Sequence, residues 1–276
     1  MNENITQTAV NKLFNEQLLN WELARNNYKA LEQVKEKTLL VDNQEYKVQF
    51  NPARIISTSA KVDAHSIKER KCILCAKNRP TEQKGIPFKE HYIILINPYP
   101  IFPRHLTIPL IEHKPQLISS RFRDMLDLAR LLEDYIVFYN GPKCGASAPE
   151  HFHFQAGNKG FLPIEKAKNI KNITKIESDN KEELVEHFKQ IYDSLEQKPD
   201  DDEPKMNILT WYEAAKWIVC IFPRKKHRPA CFFAEGEDHM LINTASVELG
   251  GVFVTTLEKD FEKIKAEDIV EILNEI

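Results

Sequence analysis

Apolar residues recur at intervals of three and four along residues 10–34, at Val10, Leu13, Phe14, Leu18, Trp21, Tyr28 and Leu31, and predict one amphipathic helix that packs on a later part of the chain. A second stretch, residues 122–139, lacks glycine and proline and carries Met125, Leu126, Ala129, Leu132 and Ile136 at helical spacing. It predicts a helix ending before Asn140-Gly141-Pro142. Clusters of β-branched and aromatic residues predict strands over residues 92–96, 105–111, 151–155, 217–222 and 251–255, so the chain is mixed α and β. Between Gln197 and Lys205, two prolines flank four consecutive acids; this run is expected to be a solvated loop that separates two halves. A short echo agrees with that division: an apolar strand leads to Pro103-Arg104-His105 in the first half and to Pro223-Arg224, then His227, in the second.

The segment His151-Phe152-His153-Phe154-Gln155 carries the sharpest alternation. In an extended strand His151, His153 and Gln155 face one way while Phe152 and Phe154 face the other, so two imidazoles and an amide look into a cleft over buried rings. A neutral imidazole attacks phosphorus well and leaves well, which splits one difficult displacement into two. His153 is best placed for that role. Gln155 donates to a phosphate oxygen without offering a base to activate water, which favours transfer over hydrolysis. Just upstream, the loop from Asn140 to Ser147 supplies glycines, a hydroxyl, an amide and Lys143, and its backbone amides can approach phosphates closely.

Composition narrows the partners. A chain of 276 residues with 42% hydrophobic content supports a sizeable core, and a net charge of -3 gives no general coat for nucleic acid. No stretch approaches the roughly 20 apolar residues of a membrane span, and the start Met1-Asn2-Glu3-Asn4 is not that of a leader, so a soluble cytoplasmic protein with a small-molecule partner is expected. The odd count of 5 cysteines does not make a disulfide framework. Cys72-Ile73-Leu74-Cys75 instead has the spacing at which two thiolates bind one Zn²⁺, completed by His151 and by one of His105 or His113. Such a closed site is structural, and Cys144, Cys220 and Cys231 read as simple buried residues.

Several segments together resemble the histidine-triad superfamily, in its transferase branch of galactose-1-phosphate uridylyltransferases, diadenosine tetraphosphate phosphorylases and GDP-galactose phosphorylases. The resemblance rests on residues 94–105, which look like the first strand pair; on residues 138–147, which look like the phosphorylase phosphate loop; on the H-x-H-x-Q signature of residues 151–155; and on residues 72–79, which are similar to the uridylyltransferase zinc segment. It implies an α+β fold of two half-domains, each an antiparallel sheet with packed helices, in one pseudo-symmetric unit: residues 1–165 with the active site and zinc, and residues 166–276 with acceptor or product contacts. It further implies a covalent nucleotidyl intermediate on His153, His151 as a zinc ligand and His113 as the remaining one.

Expected nucleotide and phosphate contacts are Asn97, Asn140, Gly145, Ser147 and Arg54, with Lys226 and Arg228 of the basic segment Lys225-Lys226-His227-Arg228-Pro229. The implied substrate is a nucleoside diphosphate sugar or a dinucleoside polyphosphate, the acceptor phosphate or a sugar phosphate, and the assembly a homodimer served by the N-terminal helix. Two departures from the family pattern stand out. Ala148-Pro149-Glu150 puts one residue more than the uridylyltransferases have between Ser147 and His151, and a uridylyltransferase-like cysteine pair accompanies a phosphorylase-like loop. The competing readings are a nucleotide-binding protein without turnover and a histidine-triad hydrolase.

Overall fold

The computed structural model describes residues 6–167 and 173–276. Its strands, in chain order, are β1 (Lys35–Val41), β2 (Gln44–Phe50), β3 (Gly85–Phe88), β4 (Tyr92–Ile96), β5 (His105–Pro109), β6 (Tyr135–Asn140), β7 (His153–Asn158), β8 (Thr174–Ser178), β9 (Met206–Glu213), β10 (Lys216–Pro223) and β11 (Val252–Thr255). An eight-stranded sheet has the order β3-β4-β5-β7-β6-β9-β10-β8, and a three-stranded sheet the order β1-β2-β11. All pairings in the larger sheet are antiparallel. The first half of the chain meets the second at β6 and β9, where Val137 stands opposite Thr210, so the halves share one sheet. In return β11 runs parallel to β2, with Phe253 opposite Val48. The α+β architecture of antiparallel sheet and packed helices is the expected one.

Two-residue alternation sends the side chains of the large sheet to two different cores. Ile94, Leu106, Ile108, Val137, Tyr139, Phe154 and Ala156 face one layer, where they pack with Phe122, Met125, Leu126 and Phe188 from the helices Phe122–Leu131 and Lys181–Ser194. Ile136, Phe138, Leu209 and Trp211 face the other, under Val247 and Leu249. The site lies on this second face, at one end of the first half. Register sets the row: Leu95 opposite Thr107, Thr107 opposite Gln155, Gln155 opposite Phe138.

Three expectations about elements are corrected. The N-terminal helix is two, Gln7–Asn20 and Glu22–Leu31, broken where Trp21 takes an extended backbone (φ -124°, ψ 102°) and buries its indole. The second predicted helix stops at Leu131; residues 135–140 form β6, buried on both faces in mid-sheet, and a short run buried on both faces reads as apolar whichever element it joins. The acidic run is only partly solvated. Asp201 pairs with Lys143 and Lys205, and Glu203 is buried against Tyr139.

Candidate active site

His153 and Gln155 open β7, while Phe152 and Phe154 are fully buried behind it, as the alternation requires. A cleft of about 340 Å³ lies over this face, lined by His153 and Gln155 from β7, Asn140 and the loop residues Gly145 and Ser147, Arg54, Asn97 and the segment from Asn243 to Glu248. The His153 Nδ1 lies 2.9 Å from the carbonyl oxygen of His151. A carbonyl only accepts, so the neutral ring carries its proton on Nδ1 and its lone pair on Nε2. Burial holds the imidazole down to about 4, so it is unprotonated at neutral pH.

The two carboxamides of the cleft are oriented by the bonds to their oxygens. Gln155 Oε1 lies 3.0 Å from His105 Nε2 and accepts from Asn97 Nδ2 at 3.4 Å. His105 accepts from the Ile101 N–H on Nδ1, which leaves Nε2 as its donor, and burial with the Arg54 charge pushes its pKa down to about 3. The Gln155 NH₂ is thereby the group left to donate. Asn140 is set in the same way: its Oδ1 accepts from Asn207 Nδ2 and from the Ser246 N–H and hydroxyl, at 2.9, 2.9 and 2.7 Å. Its NH₂ is left to donate as well. His105, one of the two candidates for the last metal ligand, is thus an orienting group for Gln155.

The loop before β7 is held from both sides. Gly145 has φ +90°, and a Cβ there would stand 2.5 Å from that of Ala245, so glycine alone lets the loop close on the second half. The residues that depart from the family pattern form a turn, with the His151 N–H donating to Ala148 O at 3.1 Å. Arg70 clamps that turn, reaching Glu150 with Nε and Nη2 and the Ser147 carbonyl with Nη2 at 2.8 Å. Lys143 turns away to Asp201.

Arg54 is half-buried beside the cleft; its Nη1 donates to Tyr99 O at 2.6 Å and its Nε has no partner among the described residues. Burial lowers its pKa to about 10, which leaves it cationic at neutral pH. Glu248, which the sequence reading missed, lines the same cleft; burial pushes its carboxyl up to about 7, against the Ala245 N–H that it accepts. Asn97 spends its Nδ2 on Thr107 and Gln155. Lys226 and Arg228 are not brought to the cleft lining: Lys226 sits 3.7 Å from Glu275, and Arg228 stacks 3.9 Å from the Phe232 ring centroid and donates to Ala60 O.

Cys72, Cys75, His113 and His151 come together with their ligand atoms all within 4.8 Å of one another. His151 Nδ1 is 3.2 Å from Cys72 Sγ and 3.6 Å from Cys75 Sγ, and His113 Nδ1 is 3.1 Å from Cys75 Sγ. Bonds of about 2.3 Å to sulfur and about 2.0 Å to nitrogen in a tetrahedron put ligand atoms roughly 3.3–3.8 Å apart, so the four residues can hold a metal ion. The His151 Nε2 donates to Leu110 O at 2.8 Å, which fixes Nδ1 as the coordinating nitrogen. Of the five cysteines, all are free thiols.

Comparison with known proteins bears on the fold and the family. Residues 13–158 match the family described as domain of unknown function (DUF4922), and residues 169–276 match the GDPGP1-like C-terminal domain. The crystal structure of yeast Ap4A phosphorylase Apa2 superposes with a TM-score of 0.60 at 16% identity, covering 92% of this chain and 94% of that one. The same yeast enzyme in complex with Ap4A gives 0.53 at 15% identity over 92% and 95%. No curated protein matches the sequence. The fold is that of the yeast Ap4A phosphorylase.

Proposed function

The chain belongs to the family described as domain of unknown function (DUF4922), and from that premise we propose that it is a nucleotidyltransferase of the phosphorylase type, acting on a nucleoside diphosphate sugar or a dinucleoside polyphosphate. The observation that carries the reading is His153, a buried neutral imidazole whose Nδ1–H is held by the His151 carbonyl and whose Nε2 is left for attack beside two pre-oriented carboxamides. The Nε2 lone pair attacks the α-phosphorus, and the bond from that phosphorus to the bridging oxygen breaks, releasing the sugar phosphate or nucleotide. The positive charge on the ring is stabilised through Nδ1–H. An oxygen of inorganic phosphate then attacks the same phosphorus, the P–N bond breaks, and a nucleoside diphosphate leaves. Gln155 and Asn140 donate to the phosphoryl oxygens, whose charge Arg54 offsets.

Zinc is the metal that two thiolates and two imidazoles fit, held by Cys72, Cys75, His113 and His151. Such a closed set gives zinc a structural part, fixing the segment whose carbonyl orients His153. Reduced thiols there suit the cytoplasm. The test supplies radiolabelled phosphate with a panel of nucleoside diphosphate sugars and dinucleoside polyphosphates. Label is expected in the β-position of a released nucleoside diphosphate, with ping-pong kinetics; nucleotide release that does not depend on phosphate would contradict the reading.

A further inference from the structure

Behind His153 lies a buried polar chain that the reaction as described does not use. The Gln116 side chain, fully buried, spans the point where β6 and β7 part: its Oε1 accepts from the His153 N–H at 2.8 Å, and its Nε2 donates to His153 O at 2.9 Å and to Asn140 O at 3.0 Å. Every arm of that amide is committed to the backbone of the two cleft residues. The Gln116 carbonyl accepts in turn from the Tyr139 hydroxyl at 3.0 Å, and that hydroxyl also contacts Glu203 Oε1. Glu203 Oε2 accepts from the Ile118 N–H at 2.9 Å.

The protons in this chain can be counted. A carbonyl accepts only, so for both bonds to form at once the single Tyr139 proton goes to Gln116 and the proton in the Tyr139–Glu203 bond comes from the carboxyl. We propose that Glu203 is a positioning residue that acts as the protonated acid, holding Tyr139 in its bond to Gln116 and, through the Gln116 amide, fixing the backbone of His153 for nucleotidyl transfer. This role rests on His153 being the nucleophile. Ionised Glu203 takes the Tyr139 proton for itself and leaves the buried Gln116 carbonyl without its donor, which loosens the frame. Burial and the adjacent Asp202 charge favour the acid and outweigh the Tyr139 and Ile118 hydrogen bonds, which favour the carboxylate. Tyr139 on β6, Cys144 in the following loop, Tyr192 on the helix Lys181–Ser194 and neighbouring Asp202 face the carboxyl, while Lys205 and Lys143 are engaged by Asp201. Burial raises Glu203 from its ordinary 4.5 to about 7.

The experiment compares wild type with Glu203→Gln and Glu203→Leu. A glutamine reproduces the acid's pattern, donating to Tyr139 and accepting from Ile118; a leucine does neither. Glu203→Leu is expected to lower kcat by up to about 100-fold with KM little changed, since small misplacement of a nucleophile costs that much, and Glu203→Gln to recover most of the loss. Wild-type transfer should decline as pH rises through about 7, and the decline should be smaller in Glu203→Gln, where Glu248 is the raised carboxyl of the cleft that still titrates there. Infrared difference spectra should show carboxylic-acid absorption that titrates in the same range and loses one component in Glu203→Gln, the part that remains being that of Glu248, a readout independent of activity. Transfer whose alkaline decline is unchanged in Glu203→Gln, or an acid band below neutral pH that Glu203→Gln leaves undiminished, overturns the role of Glu203 alone. A titrating acid band in a wild type that forms no transfer product overturns the functional reading and this role together.

Discussion

The Gln155 amide is oriented by two donors to its oxygen, from His105 and Asn97, and that fixes what it can offer a substrate. Gln155→Glu keeps both bonds and replaces the remaining donor by an anion. Its single-turnover transfer rate is expected to fall roughly 10²- to 10³-fold, as for loss of one preorganised donor; a rate within a factor of three of wild type would show that Gln155 does not touch the phosphate. The facing of His153 and Gln155 was legible in the sequence because strand alternation reports it directly, whereas His151, expected in the same row, precedes β7 and turns to the cysteines outside the cleft lining. The oxygens and nitrogens that orient the row were not legible. Gln116, Glu203, Asn207, Ser246 and Glu248 lie tens of residues away, and each looks like an ordinary surface polar residue until the chain closes around it.

At the level of elements, β7 works because its two faces are so different. Phe154 makes ring contacts with Tyr92 and Phe152 and has no exposed surface. Phe154→Ala is expected to cost about 3–5 kcal/mol in equilibrium denaturation, the range for a fully buried ring. The strands around the site were readable from β-branched and aromatic clusters, with ends displaced by a few residues. The helix forecast over residues 122–139 failed because Leu132-Glu133-Asp134 contains no glycine or proline to mark the turn into β6. The break at Trp21 has no local signal either, since burial of the indole decides it.

For the whole molecule, the seam between β6 and β9 and the partly buried acidic run were beyond sequence reasoning, because both depend on what the distant half presents. Buried titratable groups make stability depend on pH in opposite senses. His105 and His227, lowered by burial to about 3 and about 4, contribute stability that is complete above their ordinary 6.5 and is lost as pH falls towards those values. Glu203 and Glu248, raised by burial from 4.5 to about 7, contribute stability that is complete below 4.5 and is lost as pH rises to about 7. The Tm of Glu203→Gln relative to wild type is therefore expected to be more favourable at about pH 8 than at about pH 5; a constant difference would argue against a proton on Glu203. Metal analysis should find about one zinc per wild-type chain and almost none in Cys72→Ser, and a chelator should lower the wild-type Tm. The central claim, attack by His153, is tested most directly by intact-protein mass after mixing with nucleotide substrates without phosphate. Wild type is expected to gain the mass of one nucleotidyl group, in an acid-labile bond that phosphate discharges, and His153→Ala to gain none. An equal adduct on His153→Ala, or phosphate-dependent turnover that never leaves an adduct on wild type, would contradict it.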